Sequence, residues 1–182
     1  MNNEMIPLSG RAGALRQAFD QTFAAAPGET TVTMQAFLAI GVGGDNYALR
    51  LSEIAELFAD KKVVPLPSQS TDVLGIASFR GVLVAIYDLR SLLGYPNFAG
   101  ASPRWLALVA PDAPVVLAFD QLDGYLDLPP EAIAQASEAE RARQHLTETV
   151  SAAGVVRPVI SVASILTMIE RRAQAASPHQ RD

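Results

Sequence analysis

Apolar residues along this chain follow two rhythms. Near the start, Leu15, Phe19 and Phe23 recur every fourth residue, with Ala14, Ala18, Ala25 and Ala26 beside them. That spacing predicts an amphipathic helix opening near Ser9 and closed by Pro27-Gly28, its apolar face better suited to docking on its own domain than to capturing a partner. From Thr31 the apolar positions fall into short runs divided by turn residues. TVTMQAFLAIGV and NYALRL flank Gly43-Gly44-Asp45 and predict a hairpin. IASF and VLVAIY, joined by Arg80-Gly81, predict another, followed by Asp88 at the mouth of a short helix that ends at Gly94 before Pro96. Val162–Arg172 reads as a helix whose closing Arg171 and Arg172 suit the negative end of its dipole. Glu131–Glu148 is polar and Ala-rich and reads as a partly helical connector. The expected organisation is a helical extension over residues 1–30, a two-lobed domain over 31–172 and a polar tail over 173–182.

The short runs repeat. With an offset of 68, Tyr47–Phe58 lies over Val115–Leu126 with apolar residues on apolar residues, and Ser52 falls on Asp120, both suited to capping a helix. With an offset of 73, Gly81–Leu93 lies over Gly154–Leu166, identical at Gly81/Gly154, Val82/Val155, Ser91/Ser164 and Leu93/Leu166. Asp88 falls on Ser161, which keeps a cap. Two similar offsets in the same order indicate two copies of one small β unit. Each has four or five short strands, a pattern that suits small barrels or a sandwich and not alternating βαβ units.

Composition narrows the chemistry. With 182 residues, 49% hydrophobic and 18% charged, the chain has room for a real core, and no run is long enough for a membrane-spanning helix. The opening MNNEMIPLSGR lacks the basic start and apolar centre of an export signal, so a soluble cytoplasmic protein is expected. No cysteine is present, which removes disulfides, thiolate catalysis and cysteine-bound zinc. A net charge of −5 speaks against a nucleic-acid partner. His145 and His179 stand far apart, and neither has triad neighbours. GVGGD lacks the GK[ST] ending of a phosphate loop and precedes a strand, so it reads as a turn. Among the carboxylates Glu53, Glu56, Asp88, Asp120, Asp123 and Asp127, capping or solvent-facing roles fit best, capping above all for Asp88 and Asp120. Trp105 starts a strand, as core or rim. No catalytic constellation emerges, and no cofactor or metal site is expected. Arg80 stands apart as the only cation of its hairpin, held at the turn. It is either a turn residue paired to an acid such as Glu56 or a contact for another protein, and one pair can serve both.

YALRLSEIAELF, then PLP, then VLGIASFRGVLVAIYDLRSLLG resembles the CheW-like domain of bacterial chemotaxis coupling proteins, whose pattern reads YALPLSEVxEI, LPxxP and VLGVxNLRGxVxPVxDLRxxLG. VVLAFDQLDGYLDLPPEAI and GVVRPVISVASIL resemble the later segments of that family, so the likeness runs from about Thr31 to Arg172. It implies a mainly β fold of two intertwined five-stranded SH3-like barrels with short helices. It further implies a non-enzymatic, cytoplasmic adaptor, recruited to membrane receptor arrays without entering the membrane. The partners implied are the cytoplasmic signalling tip of chemoreceptors and the regulatory domain of a CheA-type histidine kinase. Carried over by motif, Ile54, Gly75 and Arg80 fall on receptor-contact positions, Glu56 on the acid near that arginine, with Val73 and Phe79 beside them. The departures are Ser78-Phe79 for Asn-Leu, Arg50 for an apolar residue or proline, Glu148 for a glycine and Ser161 for an aspartate. They mark a divergent member. The competing readings are a small-molecule-binding or minor enzymatic double barrel and a protein inhibited by its own N-terminal helix.

Overall fold

In a computed structural model, residues 33–67, 70–96, 103–109, 114–142 and 145–175 are described. The expected N-terminal helix over Ser9–Ala26 and most of the polar tail lie outside them. The chain divides into two units, Met1–Thr33 and Met34–Asp182, and the strands and helices described all belong to the second.

Eleven strands form two sheets among the described residues. They are β1 (Gln35–Val42), β2 (Asp45–Arg50), β3 (Ile54–Ala59), β4 (Val73–Phe79), β5 (Val82–Asp88), β6 (Trp105–Val109), β7 (Val115–Phe119), β8 (Gln121–Leu128), β9 (Ile133–Gln135), β10 (Leu146–Ala152) and β11 (Val155–Ile160). The helices are α1 (Leu89–Leu92), α2 (Glu138–Ala142) and α3 (Val162–Ala175). One sheet runs β8-β1-β2-β11-β10-β9 and the other β3-β6-β7-β5-β4.

The two orders are the same order twice, and they show how the halves are intertwined. The parallel pair β5·β7 in one sheet is matched by β11·β2 in the other. The antiparallel pairs β6·β7, β3·β6 and β4·β5 are matched by β1·β2, β1·β8 and β10·β11. Even the sixth strand has a trace in the smaller sheet, where Val64 bridges Ile76 as β9 pairs β10. Each repeat therefore lends strands to the other's sheet. The mainly β, two-lobed expectation holds, with six strands instead of five in one lobe.

Every strand of each sheet gives side chains to one cluster, so each sheet curls around its own core. Phe37, Ala48, Val150, Val159 and Leu126 fill one lobe; Phe58, Ala77, Phe79, Ile86, Leu106 and Val116 fill the other. A third cluster lies between the lobes, where Leu38, Ile40, Leu49, Leu117, Phe119 and Ile160 meet Leu89 and Leu92 of α1 and Ile165 and Ile169 of α3. β1, β6 and β7 are thus largely buried on both faces, which is why they read as nearly unbroken apolar runs.

Local chemistry explains the junctions. The β4–β5 and β10–β11 turns use Arg80-Gly81 and Ala153-Gly154, all at positive φ, the geometry that matches strand twist in two-residue hairpins. Asp88 caps α1 by accepting from the Arg90 N–H at 3.0 Å, and Ser161 caps α3 by accepting from the Ser164 N–H at 3.3 Å. Three expectations need correction. Ser52 caps nothing: the turn of helix at Leu51–Glu53 follows Arg50 without a side-chain cap. Asp120 caps nothing either, because a strand follows it. Its carboxylate instead accepts from the Gly43 N–H at 2.8 Å and faces Arg90 Nη1 at 3.5 Å, while Arg90 Nε reaches Asp88 at 3.2 Å. Buried Arg90 thus ties α1 to the β7–β8 junction and, through Asp120, to the β1–β2 turn. Finally, the supposed connector Glu131–Glu148 contains β9, α2 and the start of β10. β9 is three residues long and largely exposed, so its apolar alternation was too short to read. Helix α3 runs to Ala175, three residues past the expected end.

Candidate functional site

The β4–β5 hairpin lifts Arg80 to the tip of its lobe, where its side chain is 81% exposed. The guanidinium pairs with Glu56, placed by a bulge in β3 between Ile54 and Glu56. Beneath the pair Phe79 is buried, packed edge-to-face on Phe58 with ring centroids 4.8 Å apart. The Lys61 ammonium stands 4.4 Å from the Phe79 ring and 5.0 Å from the Phe58 ring, a cationic lid on both. Beside these groups opens a cleft of about 230 Å³, lined by Glu56, Phe79, Arg80, Val82, Val84 and Leu108. Val82 is 55% exposed at this charged rim, whereas Leu83, 68% exposed, lies on the opposite face of β5. The arrangement sets a planar cation, an anion and an apolar floor side by side.

The structure separates the six residues singled out in the sequence. Glu56, Phe79 and Arg80 share this cleft, whereas Ile54, Val73 and Gly75 do not line it. Ile54 turns toward the cluster between the lobes. Val73 begins β4, six residues and about 20 Å from Phe79. It borders another cleft, of about 200 Å³, with Asp72, Tyr87, Ile169 and Arg172. Gly75 is buried at φ +151, and a Cβ there would lie 2.1 Å from the Val64 carbonyl oxygen. Its lack of a side chain lets the Val64–Pro65 segment close over β4. Sequence reading missed Lys61, Val82, Val84 and Leu108; the uninterrupted run VLVAIY shows no alternation from which the outward face could be read.

Two sequence departures meet in space. The Arg50 guanidinium pairs with Glu148, 98 residues away, donates to Gln35 Oε1 and lies 5.1 Å from the Phe37 ring centre. Glu53 lies near this pair; burial raises its carboxyl pKa above the ordinary value, against the lowering influence of Arg50. A second polar arrangement ties α1 and α3 to the segments that open β4 and β10. Ser91 donates to Asp72 at 2.7 Å at the start of β4, and Ser164 meets His145 Nδ1 at 2.8 Å at the start of β10. Arg172 pairs with Asp72. Burial, then the Arg172 charge, lower the His145 pKa. Among the described residues no three His, Asp or Glu side chains converge on a metal position, and no helix is long and apolar enough to cross a membrane.

A family model described as "CheW-like domain" matches residues 36–171. The crystal structure of the scaffolding protein TtCheW from Thermoanaerobacter tengcongensis superposes with a TM-score of 0.64 at 13% identity, covering 71% of this chain and 90% of that one. No curated protein matches the chain.

Proposed function

Since this chain belongs to the CheW-like family, we propose that it is a non-enzymatic chemosensory adaptor, bridging the signalling tip of chemoreceptors to the regulatory domain of a CheA-type histidine kinase. One observation carries the receptor-facing part of this reading. The Glu56–Arg80 pair stands at the rim of an apolar cleft, where the ion pair holds the arginine fork in place while leaving it open to a partner. An amphipathic helix hairpin would set apolar side chains against Val82, Val84 and Leu108 and offer an acceptor to Arg80. Ile54 and Gly75 support the same surface from within: Ile54 anchors β3, and Gly75 fixes the course of β4 toward its tip.

An adaptor acts by coupling, so it must favour one kinase state over another, typically by about 1–3 kcal/mol. Two curled sheets, each built from strands of both repeats and packed on a common core, form a stiff body suited to passing on such a bias. The test is reconstitution of cognate receptor fragments and kinase with and without the protein. Receptor-dependent kinase activity should appear only when it is present, and Arg80→Ala should weaken receptor binding about tenfold or more while leaving the fold intact. Failure to bind either partner would reject the reading.

A further inference from the structure

A cavity of about 260 Å³, sharing no residue with the Arg80 cleft, opens where the β1–β2 turn meets the chain leaving α1. Asp45, Tyr47 and Tyr95 supply its polar groups, and Leu93, Pro96 and Leu146 its apolar walls. Tyr95 is held firmly. Its ring lies on Gly43, where a Cβ would sit 2.7 Å from Tyr95 Cδ1, and its N–H donates to the Arg90 carbonyl at 2.9 Å. Tyr47 is almost wholly buried.

Counting protons on these groups decides what the cavity accepts. A phenol has one proton to donate. Tyr95 Oη donates to Asp45 Oδ2, so the 2.7 Å contact between the two phenol oxygens is donated by Tyr47. Burial, with the hydrogen bonds to Asp45 and Tyr47, pushes Tyr95 ionisation well above the ordinary tyrosine range, so Tyr95 keeps its proton. What remains open are lone pairs on Tyr47 and on the Asp45 carboxylate. All are acceptors, and the terminal group carries a full negative charge. An anion is repelled, and a neutral acceptor finds no donor. A cation with N–H donors satisfies the site. The three apolar walls suit a short hydrocarbon stem behind that cation.

We propose that this cavity binds a primary alkylammonium group, with Asp45 and Tyr47 as acceptors and Leu93, Pro96 and Leu146 around the stem. The group reaches it either on a free small amine or as a lysine side chain of a docked protein. The test uses the full chain with 13C-labelled tyrosine, titrated at constant ionic strength with n-pentylammonium, with Nα-acetyl-lysine amide and with pentanoate. Saturable shifts of the Tyr47 and Tyr95 resonances are expected with an ammonium probe and none with pentanoate. A response to pentylammonium alone assigns the site to a free amine, a response to the blocked lysine alone to a partner's lysine, and a response to both to the shared chemistry. Asp45 is exposed at a turn, so Asp45→Asn leaves the fold intact and should weaken binding about tenfold or more. Absence of saturation with both ammonium probes, equal binding of pentanoate, or undiminished binding by Asp45→Asn would overturn the proposal.

Discussion

The two lobes share one backbone plan and differ in the side chains placed on it. At the hairpin tip one lobe carries Arg80 and the other Ala153, both at φ +50. Where Ala55 and Val84 border the apolar cleft, the equivalent positions hold Asp123 and Arg157, facing each other at 3.6 Å with Arg157 only 13% exposed. Where Gly75 admits the Val64 segment, Glu148 reaches Arg50 instead. Even the Asp72–Ser91 hydrogen bond has its counterpart in His145–Ser164, with an acid exchanged for a base. The difference teaches that duplication preserved what builds the sheets, namely capping, positive-φ turns and strand order. Charge and volume were free to diverge at the lobe ends, where the two halves carry different side chains.

The largest expected effect breaks the symmetry at the helices. Buried Arg90 in α1 corresponds to Ala163 in α3. Arg90→Ala leaves Asp88 and Asp120 without their cation and should cost about 3–5 kcal/mol in urea denaturation. A loss under about 1 kcal/mol would show that the lobes do not depend on this tie. Next come two glycines with nearly the same backbone angle, Gly75 at φ +151 and Gly124 at φ +150. Ala at either is strained by about 1–3 kcal/mol, but only at Gly75 does the new Cβ meet a backbone oxygen. Gly75→Ala should therefore be clearly the more damaging, and equal melting temperatures would refute the packing argument.

A third test uses the exchanged acid and base. The folded-state pKa of His145 lies below its unfolded value, so the unfolded chain takes up that proton first as pH falls. This group's contribution makes stability decline as pH drops through the unfolded histidine pKa near 6.5, ending once the folded His145 protonates too. His145→Asn, which tolerates the positive φ at this position, should flatten that slope in denaturation curves measured from neutral to mildly acid pH. An unchanged slope would assign the acid sensitivity elsewhere. The smallest stability effect is at the exposed pair, where Arg80→Ala should cost under about 1 kcal/mol. Combined with the binding loss expected above, that would separate recognition from folding; a large drop in melting temperature would make Arg80 a structural residue instead.

Much of this was legible in one dimension. Gly-containing turns, the Asp88 cap and the repeat follow from residues near in sequence or from their repetition. Asp120 was misread because an aspartate before an apolar run suits a cap as well as a buried acceptor, and only Gly43 and Arg90, both distant, decide between them. Of the candidate site, the charged rim was legible and the apolar floor was not, since VLVAIY offers no polar residue to mark which side faces out.

The sequence by itself determined the doubled, mainly β fold and its family, because turn geometry, capping and strand periodicity act over a few residues and recur along the chain. Only the tertiary structure decided that β5 lies beside β7 and β11 beside β2, that Arg50 meets Glu148, and that Asp45, Tyr47 and Tyr95 enclose a cavity. These depend on contacts between segments far apart in the chain. Which of many chemically acceptable partners a side chain meets is set by how the two curled sheets pack against their shared core.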